Sequence, residues 1–146
     1  MASALRIHRH EPRGCDRMAY RAGISVVDAT GSSVAPLARC VELGMGGLRV
    51  VAAAGPGPGT PVRVELPLLT GNRLAIDGRV AWSRETLHLP LFGSPRGRYD
   101  DAVFGIAFTT NDPLDLAPIA RLLAVRAHQR VRAGRLRRAR SRLIHA

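Results

Sequence analysis

The sequence predicts an all-β fold with one terminal helix: a six-stranded antiparallel barrel followed by a carboxy-terminal α-helix. Three observations support this prediction. Short apolar or alternating runs are separated by turns rich in glycine and proline, no helical pattern interrupts these runs, and a single long helical pattern follows the last of them. Because 46% of the 146 residues are hydrophobic, the chain has enough apolar side chains to build one folded domain.

The six predicted strands begin after the segment "RMAYR" and end before the helix. In chain order they are "ISVV" (24–27), "LARCVEL" (37–43), "GLRVVAAA" (47–54), "VRVEL" (62–66), "RLAIDGRVAWSR" (73–84) and "VFGIAF" (103–108). In the fourth run Val62, Val64 and Leu66 alternate with charged residues. This alternation is typical of a strand that buries one face.

The fifth predicted strand, 73–84, is long and contains a glycine. We expect Leu74 and Ile76 to point inward, and Gly78 to mark a β-bulge where the strand bends. Residues 85–101 contain several prolines and glycines and are predicted to form a loop before the last strand.

The helix is predicted to start near residue 112. Asn111 or Asp112 can cap it, and Pro113 suits its first turn because the first helical N–H needs no partner within the helix. The apolar face expected to pack on the barrel consists of Leu116, Ile119, Leu123, Ala127 and Val131. Beyond Gly134 the apolar spacing thins out, and we expect the helix end to fray.

The positive charge is concentrated at the carboxyl end. The net charge is +11, yet residues 1–120 hold thirteen arginines against eleven acids, whereas from Arg121 onward there are nine arginines and no acid. Such a tail is able to track a nucleic-acid backbone or an anionic membrane surface, with Arg130, Arg135 and Arg138 as candidate contacts. The alternative is a solvated helix face followed by a disordered end.

Two arginines spaced four apart, Arg17 and Arg21, stand just before the first predicted strand. On a helix they would share one face, but Pro12 and Gly14 disfavour a helix here, so we expect an extended or looped segment. Taken alone, the pair is better explained as a solvated basic segment.

With its surroundings, the pair resembles a motif of the PilZ domain, a bacterial module that typically binds cyclic di-GMP. In that family an R-x-x-x-R segment precedes the first barrel strand, and a D-x-S-x-x-G turn between the next two strands completes the site. Arg17 and Arg21 match the two arginines, and "ELGMGG" occupies the place of the turn with Glu42, Gly44 and Gly47. The order of strands and helix is similar to that of the family over roughly residues 13–125.

The resemblance implies a non-enzymatic receptor whose ligand is cyclic di-GMP. Arg17 and Arg21 would bind phosphate or guanine, and Glu42 would accept hydrogen bonds from the guanine edge. Gly47 would let the ligand approach the backbone. Glutamate in place of aspartate, and Gly44 in place of serine, predict weaker binding, since a lost neutral hydrogen bond costs about 0.5–1.5 kcal/mol.

Two features of this turn also have structural explanations. Glu42 is expected either to contact the ligand or to be a solvated carboxylate paired with a nearby arginine. Gly46 is expected to supply a positive φ in a tight turn.

The predicted organisation has three parts. Residues 1–12 form a disordered terminus, 13–125 the barrel and the start of the helix, and 126–146 an arginine-rich tail that is helical or frayed. Ligand binding is expected to order residues near Arg17 and to signal to a protein partner. The alternative is a PilZ-like adaptor that has lost nucleotide binding.

Several other functions are not predicted. Cys15 and Cys40 lack the spacing of a metal site, and His8 and His10 could form a metal pair on one strand face but have no third ligand close in sequence. No nucleophile or paired carboxylates indicate catalysis, so we expect no enzyme activity and no cofactor. Aromatic content of 4% disfavours a sheet that stacks RNA bases, and Trp82 is expected to pack in the core or at an edge. The beginning "MASALRIHRHEPRG" has no apolar signal segment, which favours a cytoplasmic location.

Overall fold

The computed structural model describes residues 17–85 and 102–144. The predictions for residues 1–12 and for Cys15, and almost all of the predicted loop 85–101, fall outside these residues.

Seven strands form one antiparallel sheet, and a helix follows them. The elements are β1 (Met18–Gly23), β2 (Ser25–Val27), β3 (Arg39–Gly44), β4 (Gly47–Ala52), β5 (Pro61–Pro67), β6 (Arg73–Glu85), β7 (Ala102–Phe108) and α1 (Pro113–Ile144). The strand order is β1-β3-β4-β7-β6-β5-β2, and the sheet curls into a half-barrel around a single core. The predicted fold class is confirmed, with seven strands in place of six.

The additional strand is the arginine segment itself. In β1 the buried Met18 and Tyr20 alternate with the exposed Ala19 and Arg21, which is the period-two pattern of a half-buried strand. The segment is therefore extended, and its two arginines share the face that points away from the core.

The core lies on the concave side of the sheet. Its largest fully buried side chains are Phe104, Leu43, Leu66, Ile119, Val26, Val50, Val64, Val80 and Cys40. The predicted alternation of Val62, Val64 and Leu66 is confirmed, since all three are buried. In β6 Ile76 is buried and Leu74 packs partly against the core, as expected.

The bulge in β6 is not at Gly78. The pairing of β6 with β7 is regular at Gly78 and shifts between Val80 and Trp82, so the predicted position is wrong. Gly78 is instead required by the close approach of β7, because a Cβ there would lie 2.6 Å from the Ile106 side chain and 2.8 Å from the Ala107 carbonyl oxygen.

A similar contact explains the glycine at the start of β4. A Cβ on Gly47 would overlap the carbonyl oxygen of Ile106 in β7, whereas a Cβ on Gly46 would meet nothing within 4 Å. Gly46 has no positive φ, so the prediction of a left-handed turn residue is wrong. Among the described glycines, positive φ occurs instead at Gly31, Gly59 and Gly71.

The helix begins as predicted and packs only through its first turns. Asp112 caps it, since the Leu114 N–H donates to the Asp112 Oδ1 at 2.9 Å. Ile119 and Leu122 are buried, but the predicted contact Val131 is 54% exposed, because the helix has passed the edge of the sheet at that point.

The rest of the predicted helix also differs from the structure. Ala127 is exposed, so it does not belong to the buried face either. The helix continues through Gly134 to Ile144, where we expected its end to fray, and this stretch is rich in arginine, a good helix former.

Tyr20 ties the edge strand β1 to two other elements. Its hydroxyl donates to the Pro67 carbonyl oxygen at the end of β5 (2.6 Å), and the Arg126 guanidinium of α1 lies 5.6 Å from the centre of its ring. Burial raises the pKa of Tyr20 above its ordinary value.

We predict that Tyr20→Phe lowers the free energy of unfolding by about 1 kcal/mol, because it leaves the ring in place but removes the hydrogen bond to Pro67. Urea denaturation measures this. Thr60→Val, which removes a hydroxyl-to-carbonyl hydrogen bond at an exposed turn, is the control and should change stability by less than about 0.5 kcal/mol. Equal effects of the two substitutions would contradict the anchoring role of Tyr20.

We predict that Gly47→Ala destabilises the domain by about 1–3 kcal/mol, since the new methyl group meets backbone that cannot rotate away. Gly46→Ala, one residue earlier in the same turn, is the matched control and should be close to neutral. Thermal and denaturant unfolding of the two variants give the comparison. A Gly47→Ala protein as stable as the Gly46→Ala protein would show that β4 and β7 are less closely apposed.

Candidate functional site

The predicted site residues lie on the outer face of β1, β3 and β4. Ala19 and Arg21 project outward from β1, and the exposed Arg17 immediately precedes it. In β3 the pairing shifts between Cys40 and Glu42, and this bulge leaves Glu42 on the outer face while the flanking core residues stay buried.

The two halves of the predicted motif are adjacent. A Cβ on Gly44 would lie 3.3 Å from the Arg17 Cγ, so the Arg17 side chain packs directly on the turn that ends β3. A serine at position 44 would require Arg17 to move by a few tenths of an ångström. The absence of a side chain at Gly44 therefore gives the Arg17 side chain room to pack on the turn.

Glu42 is engaged by an arginine of the next strand. It pairs with Ala19 of β1 on one side and Arg49 of β4 on the other, and its Oε1 lies 3.0 Å from the Arg49 Nη2. The expectation of a carboxylate paired with a nearby arginine is confirmed. Both side chains are partly exposed, and such a surface pair contributes only about 0–1 kcal/mol, so a ligand can replace it at low cost.

Arg21 lies two residues beyond Ala19 on the same strand face, and no shared contact joins it to Glu42. Gly47 pairs with Gly44 across the hairpin. A glycine is needed at position 47 in any case, because a Cβ there would overlap the backbone of β7. The structure thus brings Arg17, Glu42 and Gly44 together, and places Arg21 beside them on the same face.

The same cross-strand row continues to an aromatic side chain that sequence analysis did not assign to the site. Arg49 pairs with Gly105 of β7, and Gly105 pairs with Trp82 of β6. A Cβ on Gly105 would collide with the Trp82 indole, so the ring lies over this glycine.

The bulge in β6 explains why Trp82 is outside the core. Val80 is buried, yet Ala81 and Trp82 are both exposed, which strict alternation does not permit. Trp82 is 36% exposed, and the Arg84 guanidinium lies 5.8 Å from its ring centre. The predicted core position is therefore wrong, whereas the alternative of an edge position agrees with the strand pairing, because β5 pairs with β6 only as far as Arg79. The sequence signal for the true position was the glycine inside "VFGIAF".

Two kinds of site, a reactive thiol and a metal centre, are absent from the described residues. Burial raises the pKa of the Cys40 thiol to about 12, so it is not a nucleophile at neutral pH. Residues 17–85 and 102–144 contain no cluster of three histidine, cysteine or acidic side chains able to hold a metal ion. No helix in these segments is long and apolar enough to cross a membrane.

Two solved structures are similar in fold. The PilZ domain of CeSA from a cellulose-synthesizing bacterium matches with a TM-score of 0.54 and 18% identity, covering 76% of this chain and 98% of its own. The Bacillus subtilis inhibitor of motility MotI/DgrA matches with a TM-score of 0.54 and 13% identity, covering 81% of this chain and 52% of its own. No curated protein sequence matches the chain.

The family model of the PilZ domain matches residues 7–125, which is most of the chain and includes both predicted motifs. We conclude that the chain belongs to the PilZ domain family, whose members are generally non-catalytic modules that act as cyclic di-GMP receptors or as adaptors.

Proposed function

We propose that this chain is a cyclic di-GMP receptor that binds the nucleotide on the outer face of β1, β3 and β4. The observation that carries this proposal is the packing of Arg17 against Gly44, which places the arginine segment beside the turn. Arg17, Arg21 and Glu42 contact the ligand, and the backbone from Gly44 to Gly47 forms the floor beside it.

The charges of this face suit the ligand. Three arginines, Arg17, Arg21 and Arg49, accompany one carboxylate, Glu42, so these four side chains carry a net charge of +2. Cyclic di-GMP carries two phosphate charges. A guanidinium fork binds a phosphate through two hydrogen bonds, or donates to O6 and N7 of guanine.

Glu42 and Arg49 exchange partners when the ligand binds. The Watson–Crick edge of guanine presents donors at N1 and N2, and the Glu42 carboxylate accepts hydrogen bonds from them. Arg49, released from Glu42, then turns to a phosphate. Because an exposed ion pair contributes little, the exchange costs at most about 1 kcal/mol.

Trp82 offers a stacking surface for the second guanine. It lies over Gly105, two strand spacings from Glu42, which is roughly 10 Å at ordinary sheet geometry. The neighbouring Arg84 is able to stack on the same base. One nucleotide thereby spans the face from Arg17 to Trp82.

Binding is proposed to alter the contact between β1 and the helix. Residues from Met18 onward form a strand, so the ordering of residues near Arg17 that we expect on binding would reach β1 as a shift of this strand. Tyr20 lies between the two arginines on the opposite face of β1 and contacts Arg126, whose buried Nε has no hydrogen-bond partner within the described residues. A shift of β1 is thus transmitted to α1 and from there to a protein partner.

A second candidate function is an adaptor that does not bind the nucleotide. Two observations favour it: Glu42 is already paired with Arg49, and position 44 has no hydroxyl. Nucleotide titration separates the two candidates.

We predict saturable binding of cyclic di-GMP in isothermal titration calorimetry. Arg21→Ala should weaken it by about 1.5–3 kcal/mol, or about ten- to hundredfold, because a charge-assisted contact to the phosphate is lost. Arg63→Ala, which removes an exposed arginine of β5, is the matched control and should leave the affinity unchanged. Absence of heat with folded wild-type protein would favour the adaptor.

We further predict that Trp82→Leu weakens nucleotide binding by about 1–3 kcal/mol, the usual effect of removing an aromatic partner from a stacked base. Leucine keeps an apolar side chain over Gly105, and the melting temperature of the variant verifies that the fold is retained. Undiminished affinity in a variant that melts normally would remove Trp82 from the site without affecting the role assigned to Arg21.

A further inference from the structure

The second half of α1 projects away from the barrel. Helical packing against the sheet ends near Arg126, and every residue from 127 to 141 is exposed. We call residues 127–141 the projecting segment. At 1.5 Å per residue it is about 22 Å long.

The projecting segment carries a dense positive charge. Its arginines are Arg130, Arg132, Arg135, Arg137, Arg138 and Arg140. The last acidic residue of the chain is Asp115, so no acidic partner is available along this part of the helix. No ion pair between described residues involves these six arginines. Within the part of the chain that the structure describes, no acidic side chain balances their charge.

The arrangement of side chains disfavours a membrane surface as that partner. A helix that lies in a lipid interface needs one continuous apolar face. The exposed apolar residues Val131 and Leu136 are five positions apart, which places them about 140° apart around the helix axis. The arginines occupy the remaining directions as well, so the segment is cationic on all sides.

The dimensions of the segment match duplex nucleic acid. The six arginines fall within ten residue steps, or roughly 15 Å, which is about 3 Å per arginine against about 3.4 Å per phosphate along one DNA strand. A helix about 10–12 Å wide enters a major groove about 12 Å wide, where phosphates flank it on both sides. In the groove, arginines on all sides of the helix can contact phosphates, whereas a flat acidic surface would contact the arginines on one side of the helix only.

A single-stranded partner is less suited to this segment. Proteins that bind single strands stack bases on aromatic side chains. The helix α1 contains no phenylalanine, tyrosine or tryptophan.

We propose that the projecting segment binds duplex DNA in the major groove, mainly through phosphate contacts and without a strong sequence preference. This function uses residues remote from Arg17 and Glu42 in sequence and does not depend on the nucleotide. It therefore stands or falls separately from the receptor function.

The test is fluorescence anisotropy of a labelled short duplex DNA with the full chain, without cyclic di-GMP, between about 50 and 200 mM salt. Contacts to six phosphates predict a fall in affinity of about 10³-fold over this range. The variant Arg130→Gln/Arg135→Gln/Arg138→Gln, left with three contacts, should fall only about 40-fold. The control Arg63→Gln/Arg73→Gln/Arg79→Gln removes the same charge from the barrel and should behave as the wild type.

Equal salt dependence in the helix variant and the barrel variant would overturn the proposal, since net charge and not the segment would then explain binding. Circular dichroism of both variants establishes that α1 is intact. Flotation with anionic vesicles provides the competing measurement. Tighter binding to vesicles than to duplex DNA at the same salt concentration, or preference for a single strand of equal length, would also refute a groove-binding helix.

Discussion

The antiparallel pairing of β1 with β3 is the interaction on which the candidate site depends. Met18 pairs with Leu43 on the buried face, and Ala19 pairs with Glu42 on the outer face. Burial of Met18 and Tyr20 fixes which face of β1 is turned inward, and a shift of one residue would exchange the two faces. Arg17 and Arg21 are thus displayed beside the turn because their apolar neighbours are buried.

Close apposition of β7 to its neighbours extends this face into a continuous surface. Gly105 within β7 makes room for the Trp82 indole on this face. The bulge after Val80 turns Trp82 outward onto that glycine. Four cross-strand pairs therefore join the arginine segment to an aromatic ring.

Patterns local in sequence predicted much of the fold. Alternation identified β5 and β6, and the aspartate before Pro113 identified the helix start. β1 was not predicted as a strand, because its arginines mask the alternation of the buried Met18 and Tyr20. The pairing of Glu42 with Arg49 and the position of Trp82 depend on strand register and bulges, which arise from long-range packing. The helical spacing of apolar residues also placed Val131 on the buried face of the helix, although this residue is exposed. Such spacing carries no information on where the sheet ends.

The central claim is that one outer face, from Arg17 to Trp82, binds cyclic di-GMP. A ¹H–¹⁵N correlation spectrum recorded during a nucleotide titration tests it most directly, because Trp82 is the only tryptophan and its indole signal is unambiguous. We expect the largest shifts at Ala19, Glu42, Gly44 and the Trp82 indole. Shifts confined to α1 or to the β2–β5 side of the barrel, with the Trp82 signal unmoved, would contradict it.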